Sequence, residues 1–333
     1  MQNFHIALAV AIAFSVTAIL GVWCVPFLKR LNFGQTIREE GPKWHKKKQG
    51  TPTMGGIMFI IGMTVSLIAL YIIANESIFS LETSLSLTKF FAGILMAIAF
   101  GLIGFADDYI GIKKKRNLGL TEKQKLVLQF LIAGAYLFSL YLAGGTSETV
   151  IPFLGTVDLG FFYYILAALV IVGMVNAVNF ADGVDGLCST VTLIVAIAFI
   201  ACTCFLNYIG MAVFAAALAG ACLGFLVWNF NPAKVFMGDT GSLFLGGTVC
   251  ALAFAINRPI ILLPMGIIYI IEILSVVLQV SYFKLTKGKR LFKMSPIHHH
   301  FELCGWSEMK ICAVFGTVTI LGGLIAVLSV VYA

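Results

Sequence analysis

KLTKGKRLFKMSPIHHHFELCGW, residues 284–306, is a basic, histidine-bearing stretch set between two long apolar runs, 260–283 and 311–332. Three of the chain's five histidines, His298, His299 and His300, stand side by side in it, after Lys284, Lys287, Lys289, Arg290 and Lys293. A polar island between runs long enough to cross a bilayer reads as a loop at a membrane surface, and its charge suits an anionic guest.

The rest of the chain repeats this pattern. Of 333 residues, 60% are hydrophobic and only 11% charged, with a mean hydropathy of +1.00, which excludes an ordinary soluble domain. The apolar runs predict an all-α polytopic membrane protein, a single integral-membrane domain over 1–333. Ten spans are expected near 4–25, 54–74, 90–106, 126–143, 161–178, 189–207, 211–228, 241–256, 260–283 and 311–332. The first run has no basic residue before it and Lys29 and Arg30 after it. That is the reverse of a cleavable signal peptide and predicts a span whose N-terminus lies outside.

Charge then sets the expected orientation. If the connections after spans one, three, five, seven and nine are cytoplasmic, only Lys89 and Arg258 of the 22 basic residues fall outside, so both termini are expected to be extracytoplasmic. One external connection, residues 144–160, is longer and has β-type runs around Leu154-Gly155, predicting a small periplasmic hairpin. Pro264 in the ninth span predicts a bend, and Glu272 in the same span should face protein or water, not acyl chains. The eight cysteines lie mostly inside apolar runs without metal-ligand spacing and read as small apolar fillers.

Five of six aspartates gather on the basic face, and Asp158 alone does not. Asp107-Asp108 follows FGLIGFA and is expected to end the third span at the surface. The pair suits Mg²⁺, which takes one or two carboxylates plus substrate phosphates; a solvated helix end paired with Lys113 to Arg116 is the plainer reading. NFADGVDGL (179–187) offers acceptors from Asn179, Asp182 and Asp185 to a base or ribose, or is a capped turn. NFNPAKVFMGDTGS (229–242) places Asp239 at a helix start, where it serves a metal and phosphate or simply caps the helix. Four loops on one face, each suited to a metal, a phosphate or a nucleobase, beside a lipid phase, point to phosphoryl transfer between a soluble nucleotide and a lipid phosphate.

TPTMGG (51–56), FADDY (105–109), NAVNFADGVDGL (176–187), NFNPAKVFMGDTGS and SPIHHHFELCGW (295–306) together resemble the polyprenyl-phosphate N-acetylhexosamine-1-phosphate transferases, and the last of them its muramoyl-pentapeptide branch. The resemblance implies transfer of phospho-MurNAc-pentapeptide from UDP-MurNAc-pentapeptide to undecaprenyl phosphate, giving lipid I and UMP, with Mg²⁺ as cofactor. It implies a bacterial inner-membrane enzyme of peptidoglycan biosynthesis, its active site built from five cytoplasmic loops. It also implies a homodimer among membrane lipids, with no nucleic acid as partner.

Carried over by motif, Asp239, Asp107 and Asp108 are expected at the metal, Asp107 as the base toward the lipid phosphate, and His298 among the catalytic groups. Asn179, Asp182, Asp185, Asn229 and a stacking Phe236 fall to the uridine and ribose side. Lys48, Lys123 and Lys125 fall to the phosphates, and Thr53, Gln279, His299 and His300 to the rim. The basic residues have anionic lipid headgroups as another use. Direct attack and a covalent aspartyl-phosphate both stay open. A sister transferase using UDP-GlcNAc and a transporter with Glu272 on a cation path are the competing readings.

Overall fold

A computed structural model describes residues 2–31, 48–75, 78–79, 83–114 and 119–332. Lys115 and Arg116, and most of the first basic connection including His45, lie outside these residues. Among the described residues, ten helices are long and apolar enough to cross a membrane. They are α1 (Gln2–Arg30), α2 (Gly56–Ile73), α3 (Ser84–Lys113), α4 (Glu122–Leu142), α5 (Phe161–Phe180), α6 (Leu187–Phe205), α7 (Ile209–Asn229), α8 (Gly238–Ala255), α10 (Ile267–Leu285) and α12 (Glu308–Val331). Two short α-helices join them among the described residues, α9 (Leu262–Met265) and α11 (Ile297–Leu303). Apolar side chains in lipid leave the backbone no partner but itself, and helices are the form in which each such run satisfies its own N–H and C=O groups.

The core is built on α7 and α8, whose membrane windows are 83% and 89% buried. Both are rich in alanine and glycine, and small residues let helix backbones approach closely where lipid offers no hydrophobic drive for association. α8 lies against α3 and α5, and α7 against α1 and α6. At the periphery α10 turns Leu274, Val277 and Leu278 outward.

Three expectations are refined, and the expected hairpin is present. α3 does not end at the aspartates but runs on to Lys113, so Asp107 and Asp108 are helical residues with polar partners. The ninth span is broken: a 3-10 turn at Pro259–Ile261 and α9 precede Gly266, after which α10 begins. Pro264, which has no N–H to donate, sits in the short piece. The histidine stretch, expected as a loop, contains α11. The hairpin forms, with β1 (Glu148–Ile151) antiparallel to β2 (Gly155–Asp158) in the register Glu148↔Asp158 and Ile151↔Gly155. Val150 N donates to Asn257 O at 3.1 Å, tying the hairpin to the far end of α8.

Candidate active site

The site begins with a close crossing. A side chain on Gly104 of α3 would overlap the Asp239 carbonyl, so here α3 and the start of α8 meet backbone to backbone. Asp107 and Asp108, three and four residues on, share that face of α3 and are delivered to the first turn of α8. No side chain local to α8 caps its N-terminus. Asp108 does so from α3: its carboxylate accepts from Asp239 N at 3.3 Å, Thr240 N at 2.9 Å and Thr240 Oγ1 at 2.6 Å. Asp239 is therefore not the cap and lies within the first turn, its own carboxylate turned to other partners.

Those partners come from two more elements. Lys125 of α4 places its Nζ 2.6 Å from Asp239 Oδ2 and 2.9 Å from Asp107 Oδ2. Asn179, near the end of α5, donates to Asp239 Oδ1 at 2.9 Å and to Ser242 Oγ at 2.8 Å. Asp107 Oδ1 also accepts from Leu120 N at 2.7 Å, which fixes the entry to α4. Thr53 is buried beside Gly238. Two carboxylates from different helices thus share one ammonium, at one end of the bundle.

The loop after α5 links this cluster to a second. Asp182 lies within electrostatic reach of Asp239, Asp108 and Asp185; burial first, then those charges, push its carboxyl up to about 8. Asp185 is buried and bonded on both oxygens, to Lys48 Nζ at 2.6 Å and to Ala233 N at 2.9 Å. Lys48 also reaches Glu308 Oε2 at 2.6 Å, and Asp185 N donates to the same oxygen at 3.1 Å. Burial works against the Lys48 charge, but the hydrogen bonds and charges of Asp185 and Glu308 outweigh it and hold the ammonium's pKa above its usual value. Asn229 is buried, accepting from Gly186 N and donating to Val235 O, a stitch between two loops. Phe236 is half-buried; its N–H donates to Pro52 O and its carbonyl accepts from Gly55 N, both at 2.8 Å.

The histidines form the third cluster. His298 and Glu272 are both buried, with Nδ1 of the ring 3.1 Å from Glu272 Oε2. His299 Nδ1 lies 2.7 Å from Glu302 Oε2, and His300 Nδ1 accepts from Lys293 N at 3.1 Å. Gln279 accepts from Leu291 N and Phe292 N, holding the strap that leads to α11. The His298 ring rests against Gly183, in the same loop as Asp182 and Asp185. Lys123 is not brought in: it is exposed and bonds to none of the described residues.

Glycosyl transferase family 4 matches residues 90–257, and the phospho-N-acetylmuramoyl-pentapeptide-transferase signature matches residues 48–60, the segment whose backbone pairs with Phe236 and Met237. Proteins named phospho-N-acetylmuramoyl-pentapeptide-transferase are similar over nearly the whole chain. That of Clostridium perfringens is 47% identical over 99% of this chain and 98% of its own. That of Bacillus thuringiensis is 48% identical over 96% and 95%, and that of Listeria monocytogenes 44% over the full length of both. The chain belongs to the phospho-N-acetylmuramoyl-pentapeptide-transferase family.

In this member of the phospho-N-acetylmuramoyl-pentapeptide-transferases, the structure adds residues that the sequence did not single out for the site. Glu308 closes the Lys48 and Asp185 cluster, Thr240 binds Asp108, Ser242 accepts from Asn179, and Glu302 holds His299. Serine before a glutamate at an apolar helix start was the one signal for Glu308; Ser307 caps α12, accepting from Lys310 N.

The donor set also bears on a metal. Among the described residues no three His, Cys, Asp or Glu side chains converge as a closed metal cage. Mg²⁺ asks for less, since it keeps several waters and takes one or two carboxylates with substrate phosphates. Asp107 and Asp239, already sharing the Lys125 cation, fit that requirement, whereas the Asp108 oxygens are committed to the α8 N-terminus.

Proposed function

We infer that this chain transfers phospho-MurNAc-pentapeptide from UDP-MurNAc-pentapeptide to undecaprenyl phosphate, giving lipid I and UMP. It is a multi-pass membrane transferase of peptidoglycan biosynthesis. The observation that carries the reading is the meeting of Asp107, Asp239, Lys125 and Asn179 at one end of ten membrane helices, in a chain alike throughout to transferases of that name. Such a site faces a soluble nucleotide on one side and a lipid phosphate on the other. The basic connections at that end support a bacterial inner membrane with the site toward the cytoplasm.

The reaction joins an oxygen of the lipid phosphate to the sugar-linked phosphorus and breaks that phosphorus's bond to the UMP oxygen, which leaves with the electron pair. Positioning and charge neutralisation are the protein's main contributions to such a step. Asp107 accepts a proton from the lipid phosphate, Lys125 neutralises phosphate oxygens beside it, and Asn179 holds Asp239 in register. Lys48, held by Asp185 and Glu308, faces the nucleotide side. Asp239 and Asp107 would hold Mg²⁺, which when bound supplies a Lewis acid for the diphosphate.

Purified protein with undecaprenyl phosphate and Mg²⁺ should release UMP from UDP-MurNAc-pentapeptide and not from UDP-GlcNAc. Release from UDP-GlcNAc alone would transfer the chain to the sister-enzyme reading, and no release from either would remove the transferase reading.

A further inference from the structure

Glu272 lies inside α10, buried, in an otherwise apolar stretch. A carboxylate at such depth is expensive, so its retention calls for a use. Its Oε2 faces Nδ1 of His298 at 3.1 Å, and both side chains are wholly shielded from solvent. A ring whose Nδ1–H goes to a carboxylate has its orientation and tautomer set, and Nε2 becomes the atom it presents on the far side. On that side is Gly183, where an added Cβ would fall on Nε2 itself. Nε2 is buried and without a hydrogen-bond partner among the described residues. Buried polar atoms are nearly always paired, and one left unpaired against a substrate loop points to a partner that arrives with the ligand.

We propose that Glu272 is a positioning residue for the transfer: acting through His298, it fixes Nε2 beside Gly183, where that nitrogen accepts a hydrogen bond from a hydroxyl of the bound sugar nucleotide. This deepens the transferase reading and rests on it. Gly183 gives the access, because only a residue without a side chain leaves room for both ring and substrate. The neighbouring pair of Glu302 and His299, 2.7 Å apart, holds the next ring in the same manner, and the two ring centroids are 4.1 Å apart.

The test is UMP release with UDP-MurNAc-pentapeptide, undecaprenyl phosphate and Mg²⁺, comparing wild type with Glu272→Ala, Glu272→Gln, His298→Ala and the double variant Glu272→Ala/His298→Ala. Glu272→Ala should lower kcat about 100-fold while KM for the donor moves less than about threefold, the signature of an interaction felt in the transition state. Glu272→Gln keeps an oxygen for the Nδ1–H and should recover about tenfold of that loss. The double variant should match His298→Ala within about threefold, since Glu272 then has nothing to act through. Additive losses, or unimpaired turnover by Glu272→Ala, overturn the proposal. Should Glu272→Ala fail to fold, Gly183→Ala decides: a methyl placed on Nε2 must lower kcat, and normal turnover overturns it. A wild type that releases no UMP overturns the transferase reading, and the proposal falls with it.

Discussion

Asp108 of α3 takes two hydrogen bonds from Thr240 of α8, from its N–H at 2.9 Å and from its hydroxyl at 2.6 Å. At the other end of the same two helices, Lys89 of α3 donates to Ala255 O at 3.0 Å, the last residue of α8. One helix thus sets an anion at the positive end of its neighbour and a cation at the negative end, both favourable to the α8 dipole. Asp108→Ala leaves buried N–H groups unsatisfied and should lower stability by about 2–3 kcal/mol, against about 1 kcal/mol for Thr240→Val, which loses only the hydroxyl contact. Thermal unfolding in detergent measures both, and an Asp108→Ala protein as stable as wild type would refute the cap.

Lys125 holds Asp107 and Asp239 together, so replacing it removes the cation from a pair of facing carboxylates. Lys125→Met should cut kcat by roughly 10²–10³, the cost typical of one preorganised charge at a phosphoryl or acyl centre. UMP release under saturating substrates reports it, and a loss confined to KM would place Lys125 in binding alone.

Much of this architecture is legible in the sequence. Ten apolar runs give the ten spans, most of them to within a few residues but the third and ninth less closely, and the aspartates do gather, because polar residues beside lipid must meet one another or water. What the sequence hides is geometry that depends on distant partners. Glu308 bonds Lys48 across 260 residues, a separation that no local pattern reveals. Lys123 and Lys125 looked equivalent, yet two residues on a helix lie about 200° apart, so only one can face the site. Asp107 and Asp108 looked like a helix end because the apolar run stops there, but Leu120, Thr240 and Lys125 supply partners that let α3 continue.

Glu308 offers a separate test of the nucleotide side. Glu308→Gln removes one of two anions that orient Lys48, whose charge persists through Asp185. Donor KM should rise about fivefold to tenfold with kcat nearly unchanged, the pattern of lost ground-state binding. A fall in kcat with KM constant would contradict this placement.

Asp182 gives a pH dependence whose sign follows from its environment. Its carboxyl is near ~3.9 in an unfolded chain and is pushed up to about 8 in the fold by burial and by Asp239, Asp108 and Asp185. A raised folded value favours the protonated form, so its stabilising contribution is complete below ~4, fades as pH rises, and is gone above about 8. The melting temperature of the substrate-free protein should decline between about pH 5.5 and 8.5, and Asp182→Asn should flatten that decline. An equal decline in the variant would show that Asp182 is not responsible.

The most direct test of the central claim, that the meeting of α3, α4 and α8 is where the phosphoryl group is transferred, is UMP release by Asp239→Asn. Its side chain keeps the shape and a hydrogen-bonding oxygen but loses the charge. The variant should purify and melt like wild type while its Mg²⁺-dependent turnover falls by at least about 10³. Turnover within about tenfold of wild type would place the chemistry elsewhere in the molecule.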